Sequence, residues 1–287
     1  MTDALLIILT AIVVSANCAI LGSFLILRKM AMVGDAIAHS VLPGIVIAFL
    51  ISGSRDNIPM LIGAAAVGLL TVLMIEFFHK KANLQEDASI GITFTWLFAL
   101  GVILVSAYTG QVDLDQECVL YGEIAYVTLD VVYFGESFFL PWALLSSGAL
   151  LVVILLYVLI GFKGLKLTSF NPDYAKALGI STAFWHFSFM GLVSINTVIS
   201  FDSVGAILIV AMLVIPASTA YLISHKLKNM LWLAVLFGAT SSVLGYALAA
   251  ALDSSIAASI ATMGGIQFAL VFGLRSLVKG KLKLQSA

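Results

Sequence analysis

Runs of about 20 apolar residues recur from one end of this 287-residue chain to the other. At 1.5 Å of helix rise per residue, such a run matches the roughly 30 Å hydrocarbon thickness of a bilayer. Backbone polar groups inside hydrocarbon must be satisfied internally, so each run is confined to helix. The candidate spans are 4–27, 33–52, 59–78, 89–108, 138–161, 185–200, 203–223, 230–250 and 255–276. They make nine, or eight if the first lies in the interface. The polar stretches between them are too short for a separate extramembrane domain, so 1–287 is expected to form one all-α transmembrane domain. Composition agrees. The chain is 62% apolar and 10% charged, against about 25% charged in soluble domains, which excludes a soluble fold. A net charge of −1 offers nothing to nucleic acid, and lipid is the expected surrounding.

The distribution of charge orients the spans. If odd-numbered spans run outside to inside, Arg28, Lys29, Lys80, Lys81, Lys163, Lys166, Lys176, Lys226, Lys228, Arg275, Lys279, Lys281 and Lys283 lie inside and Arg55 alone outside. That is the bias cytoplasmic loops carry, and it places the N-terminus out and the C-terminus in. Met1-Thr2-Asp3 lacks the basic flank of a signal peptide, so the first run reads as a retained span. Asp3, Asp56, Asp113, Asp115, Glu117, Glu123, Asp130, Glu136, Asp202 and Asp253 map to the outer side. They suit an entering cation, or are what remains once the lysines are held inside. Cys18 in a span and Cys118 in an outer loop read as unrelated thiols. Two connections are long. The outer one, from Thr109 to about Ser137, holds aromatic residues that suggest an interfacial helix or re-entrant piece, and the inner one runs from Phe162 to Trp185.

Polar residues within spans are costly and mark function. In Val33-Gly34-Asp35-Ala36-Ile37-Ala38-His39-Ser40-Val41-Leu42-Pro43-Gly44, Asp35 and His39 stand four apart. A carboxylate and an imidazole thus share one helix face. Pro43 has no N–H for the carbonyl of His39 and bends the helix there, leaving a backbone oxygen beside the pair. Spacing alone fits two uses: a buried hydrogen-bonded pair, or two donors to a shared ion. Oxygen and imidazole donors without thiolate suit manganese, iron or zinc. Pro216 is expected to kink the seventh span likewise, with Ser218 and Thr219 taking up the freed carbonyl. Asp202 fits an outer gate or the cap of the following helix, and Glu123 a metal entry point or an ordinary loop acid. Glu76 and His79 read as a solvated helix end, and His186 and His225 as interfacial. Gly63, Gly68, Gly191, Gly205, Gly238 and Gly245 read as close-packing positions between helices.

In the inner segment, about 163–184, Asn171-Pro172-Asp173-Tyr174-Ala175-Lys176-Ala177-Leu178-Gly179 reads as a short capped helix. Asn171 is the N-cap, Pro172 and Asp173 fill the first turn, and Gly179 is the stop. With Tyr174, Ala175 and Leu178 it forms an amphipathic knob for a partner's groove, or an ordinary connector packed on its own protein. No G-x-x-x-x-G-K-[ST] phosphate loop occurs, so ATP hydrolysis is not expected from this chain. No H-E-x-x-H helix occurs either, which sets aside a membrane metalloprotease.

Gly34-Asp35-Ala36, His39 and Val41-Leu42-Pro43-Gly44, together with Phe201-Asp202-Ser203-Val204-Gly205-Ala206 running into Pro216-Ala217 and Ala220, resemble the permease family of bacterial zinc and manganese ABC importers. These are relatives of the siderophore and cobalamin permeases. The loop from Asp113 to Glu123 is more similar to the manganese branch. The resemblance implies a type II importer-like bundle of eight to nine transmembrane helices in the bacterial plasma membrane, acting as two copies. It implies that Asp35 and His39 hold the transported metal and that the segment Asn171–Gly179 couples to a separate ABC ATPase. It also implies an extracellular metal-binding protein as donor, and no permanent cofactor. An ion-coupled secondary transporter, with Asp35 and His39 relaying protons, is the alternative reading of the same pair. In a cysteine-free background, cysteines replacing Lys81 and Lys226 are expected to react only with reagent reaching the cytoplasmic side, and one replacing Arg55 only from outside. The opposite pattern would invert the topology.

Overall fold

The computed structural model describes residues 3–53, 57–108, 124–133 and 139–285. Helices α1 (Asp3–Leu27), α2 (Val33–Ser40), α3 (Leu42–Ser52), α4 (Asn57–Lys81) and α5 (Glu86–Tyr108) are followed by a 3-10 turn (Ile124–Thr128). A small antiparallel pair, β1 (Val131–Tyr133) and β2 (Phe139–Pro141), comes next. The chain continues through α6 (Trp142–Phe170), α7 (Pro172–Ala177), α8 (Thr182–Val204), α9 (Ala206–Ile223), α10 (Leu227–Leu252) and α11 (Ile256–Gln285). Among the described residues, nine helical segments are long and apolar enough to cross a membrane, with α2 and α3 together forming the second.

The span boundaries match the apolar runs within a few residues, except that α6 and α11 continue well past the ends of theirs, to Phe170 and Gln285. The α6 helix continues to Phe170, so the inner connection consists of little more than α7. Apolar runs underestimate such a helix because its last turns carry Lys163 and Lys166, which leave the hydrocarbon without ending the hydrogen-bond ladder. The described part of the outer connection is the 3-10 turn and the hairpin, with Val131 opposite Pro141; these short strands are the one departure from an all-α chain among the described residues. Residues 109–123, including Cys118, lie outside them.

The residues fall into two compact units, one of 1–29, 123–156 and 207–287, the other of 30–122 and 157–206. Lipid tails are as apolar as Leu, so helix association here depends on close packing and interhelical hydrogen bonds instead of burial from water. In the first unit α1 packs on α10 and α10 on α11. Gly22 lies against the carbonyl of Leu213, Gly238 against Ser15, and Gly245 against Ile260. Asn17 Nδ2 donates to the Ser147 carbonyl at 2.9 Å, tying α1 to α6. Pro216 lies inside α9. The Thr219 hydroxyl donates to the Ile215 carbonyl at 2.7 Å, about one turn from the Met212 carbonyl that Pro216 leaves without its usual donor.

In the second unit α4 is the centre of packing, touching α2, α3, α5 and α8. Gly44 of α3 and Gly63 of α4 meet backbone to backbone, and Gly101 of α5 lies against the ring of Pro43. Gly205, at φ 78°, takes a conformation open to glycine and separates α8 from α9. A Cβ on Gly63 would lie under 3.0 Å from both the Gly44 carbonyl oxygen and the Ala48 Cβ. Gly63→Val is therefore expected to lose about 1–3 kcal/mol through overpacking. Gly91, where a Cβ meets nothing within 4 Å, is expected to accept Ala without loss. Thermal unfolding of the two variants in detergent checks the contrast.

Candidate functional site

The second span is built as two helices with a break at Val41. Val33–Ser40 is a two-turn helix, and Pro43 sits in the first turn of α3, where its missing N–H costs nothing. The ladder resumes with the Ile45 N–H on the Val41 carbonyl at 3.1 Å. The expected bend at Pro43 is thus a one-residue break at Val41, two residues after His39, where the backbone keeps right-handed helical angles (φ −71°, ψ −19°).

Asp35 Oδ1 and His39 Nε2 are 3.4 Å apart across one turn of α2, and their side chains are 28% and 33% exposed. Asp35 is in the first turn of its helix and His39 in the last, the ends where the helix dipole favours negative and positive charge. A sealed structural pair would be covered, whereas this one presents both groups on an open face of the unit. Phe94 and Phe98 of α5 flank the imidazole, with ring centroids 6.2 Å away in each case. Ser40, beside His39, donates its hydroxyl to the Thr71 hydroxyl of α4 at 2.6 Å. Thr71 in turn donates to the Val67 carbonyl at 2.8 Å. The pair therefore stands on a turn fixed by α4 on one side and screened by aromatic rings on another. No group of three or more His, Cys, Asp or Glu side chains able to hold a metal occurs among the described residues. The constellation is two side-chain donors.

The inner connection forms as its residues dictate. Asn171 Oδ1 accepts the Tyr174 N–H at 3.0 Å, capping α7. Gly179, at φ 76°, closes it, with its N–H on the Lys176 carbonyl at 2.9 Å and the Ile180 N–H on the Ala175 carbonyl at 3.0 Å. Ala175 is fully buried, while Tyr174 and Leu178 are 54% and 56% exposed. Asp173 and Lys176 pair at 3.6 Å on the exposed side, an interaction worth little in water. The Ser181 hydroxyl then caps α8 by accepting the Phe184 N–H at 3.3 Å.

Asp202 falls in the last turn of α8, and the next helix begins at Ala206, so it does not occupy that helix's N-cap. Glu123 lies outside the described residues. Two features go beyond the sequence reading. Glu76 is largely covered instead of solvated: His186 Nε2 lies 3.2 Å from Glu76 Oε2, without hydrogen-bond alignment, and Lys80 pairs with the other carboxylate oxygen. On α8, Ser194, Thr197 and Ser200 are fully buried, and their hydroxyls have no hydrogen-bond partner among the described residues. Their three-residue spacing was the visible signal for one polar face.

A family model described as the ABC 3 transport family matches residues 2–275. The chain is 46% identical over 267 residues to the manganese transport system membrane protein MntD of Bacillus subtilis, covering 93% of this chain and 90% of that protein. It is 41% identical over 267 residues to the zinc transport system membrane protein TroD of Treponema pallidum, covering 93% and 72%. Among solved structures, PsaBC from Streptococcus pneumoniae in complex with Fab superposes with a TM-score of 0.77 at 34% identity, over 95% of this chain and 91% of that one.

Proposed function

Because the chain belongs to the ABC 3 transport family, we propose that it is the membrane-spanning permease of an ATP-driven importer for a divalent transition metal, manganese before zinc or iron. The observation that carries this reading is the open Asp35–His39 pair at the interruption of the second span. A charged or polar group in a span is retained for use, and these donors are hard and borderline ligands that suit manganese. Relatives named for manganese and zinc transport support the cargo class.

Two donors are too few for a coordination shell, and two copies of the permease facing one another across a central path would double them. Water and backbone oxygen complete the shell. Weak, incomplete ligation serves a conduit, which must release what it binds. The chain lacks a phosphate loop, so ATP is hydrolysed by a separate ATPase that receives α7 in a groove, with Tyr174 and Leu178 as its apolar contacts. An extracellular metal-binding protein delivers the ion to the outer face, where Asp202 and Glu123 are offered as entry groups. In this reading the N-terminus is outside and the C-terminus inside the plasma membrane, and the whole chain acts as one permease domain. Transport is conformational gating, with no covalent step on this subunit.

In vesicles holding the permease and its ATPase, Asp35→Ala is expected to reduce ATP-dependent manganese uptake to background while complex assembly is kept. Undiminished uptake by the variant would remove Asp35 from the path. Uptake by the permease alone, driven by a proton gradient, would replace the importer with an ion-coupled carrier.

A further inference from the structure

Within the second unit, contacts lead from α7 to the turn of α2 that carries Asp35 and His39, and a step between polar side chains joins two helices far apart in sequence. We infer that Glu76 and His186 are positioning residues that carry movement of α7 to Asp35 and His39. The inference rests on the importer reading above.

The inner end of α8 follows α7 through the Gly179 stop and the Ser181 cap, and His186 lies about one turn into the helix. Its neighbour Trp185 fills a notch on α6 formed by Gly161 and Gly164, with the Tyr157 ring alongside at 5.9 Å. The Tyr157 hydroxyl and Ser188 add a hydrogen bond of 2.7 Å. With one side of α8 seated on α6, the other side reaches α4 through the 3.2 Å His186–Glu76 contact. Glu76 is 14% exposed, and the largely exposed Lys80 pairs with its second oxygen, so the carboxylate has a partner on each side.

From Glu76 the α4 helix leads to the site. Thr71 holds Ser40, the residue after His39. Gly68 is where α4 meets both neighbours, since a Cβ there would press on Ser194 of α8 and on Ile37 of α2. Ile37 lies between Asp35 and His39 in sequence. Displacement of α7 toward the membrane thus reaches α2 through α4, along contacts that cannot stretch because close-packed helices do not deform continuously. For holding helices together, an apolar contact would do as well as a partly buried polar contact, which carries a desolvation cost. A breakable polar contact suits a joint that must adopt two arrangements.

The test uses the complete permease–ATPase complex in proteoliposomes, with manganese as probe. Manganese uptake per ATP hydrolysed is measured for wild type, E76Q, H186Q, the double variant and the exchanged pair E76H with H186E. Each single variant is expected to lose at least about fivefold in uptake per ATP, the lower end of typical coupling between sites. The double variant is expected to be no worse than the singles, because they break one joint. Manganese affinity and thermal stability are expected to stay at wild-type values, and the exchanged pair to recover most of the ratio. Wild-type ratios in both single variants, losses that multiply in the double, no recovery by the exchanged pair, or loss of manganese affinity or stability alongside transport each overturn the assignment. A wild-type complex that moves no manganese overturns the importer reading itself, and this inference with it.

Discussion

Inside hydrocarbon no water is available to a backbone N–H or C=O, and the architecture of this protein depends on that one constraint. It forces helix wherever the chain crosses, and it makes every interruption costly unless neighbouring protein covers it. The second span carries such an interruption at Val41, between α2 and α3. It is tolerated because α4 and α5 enclose it: the Thr71 hydroxyl holds Ser40, and Gly101 admits the Pro43 ring. The Asp35–His39 pair lies on the short helix ending at this break, so the site and the exception to regular structure are one feature.

Absence of water also changes what polar side chains do. Most hydroxyls along the spans donate back to the carbonyl three or four residues earlier, as Thr10, Ser23, Thr93 and Ser242 do, which satisfies them without help from another helix. The groups that depart from this habit are therefore informative. Asn17 reaches across to Ser147, Ser40 to Thr71, and His186 to Glu76. Each joins helices distant in sequence. Ser194, Thr197 and Ser200 on α8 neither back-bond nor cross-bond among the described residues, and Ser15 on α1 does likewise.

The spans were legible because their signal is local: an apolar run of fixed length, bounded by charges, needs no knowledge of its neighbours. The caps of α7 were legible for the same reason, since Asn171 and Gly179 act within a few residues of themselves. So was the i, i+4 geometry of Asp35 and His39. Span ends were less so, because Lys163 and Lys166 end an apolar run without ending α6. The Glu76–His186 pair was not legible at all. Each residue taken alone looks like an interfacial group near basic neighbours, and only the packing of α8 on α4 brings them together. Thr219 shows a subtler limit: its type and place near Pro216 suggested relief of the freed carbonyl, but hydroxyl geometry on a helix directs it to Ile215.

A site of two donors on a short helix also bears on what a metal path needs. A complete, rigid shell from one chain would bind a divalent ion tightly and release it slowly, since affinity differences between related sites are expressed mainly in dissociation. Here the donors lie on the short helix before the break at Val41, where the regular hydrogen-bond ladder between α2 and α3 is interrupted. Its position is set instead by side-chain contacts with α4, through Ile37 at Gly68 and Ser40 at Thr71. A ligand turn held by such contacts can exchange one packed arrangement for another without unfolding a span. In the proposed importer, partial ligation and a broken helix are then two aspects of one design, in which the ion is held only as long as the helices around α2 keep it in place.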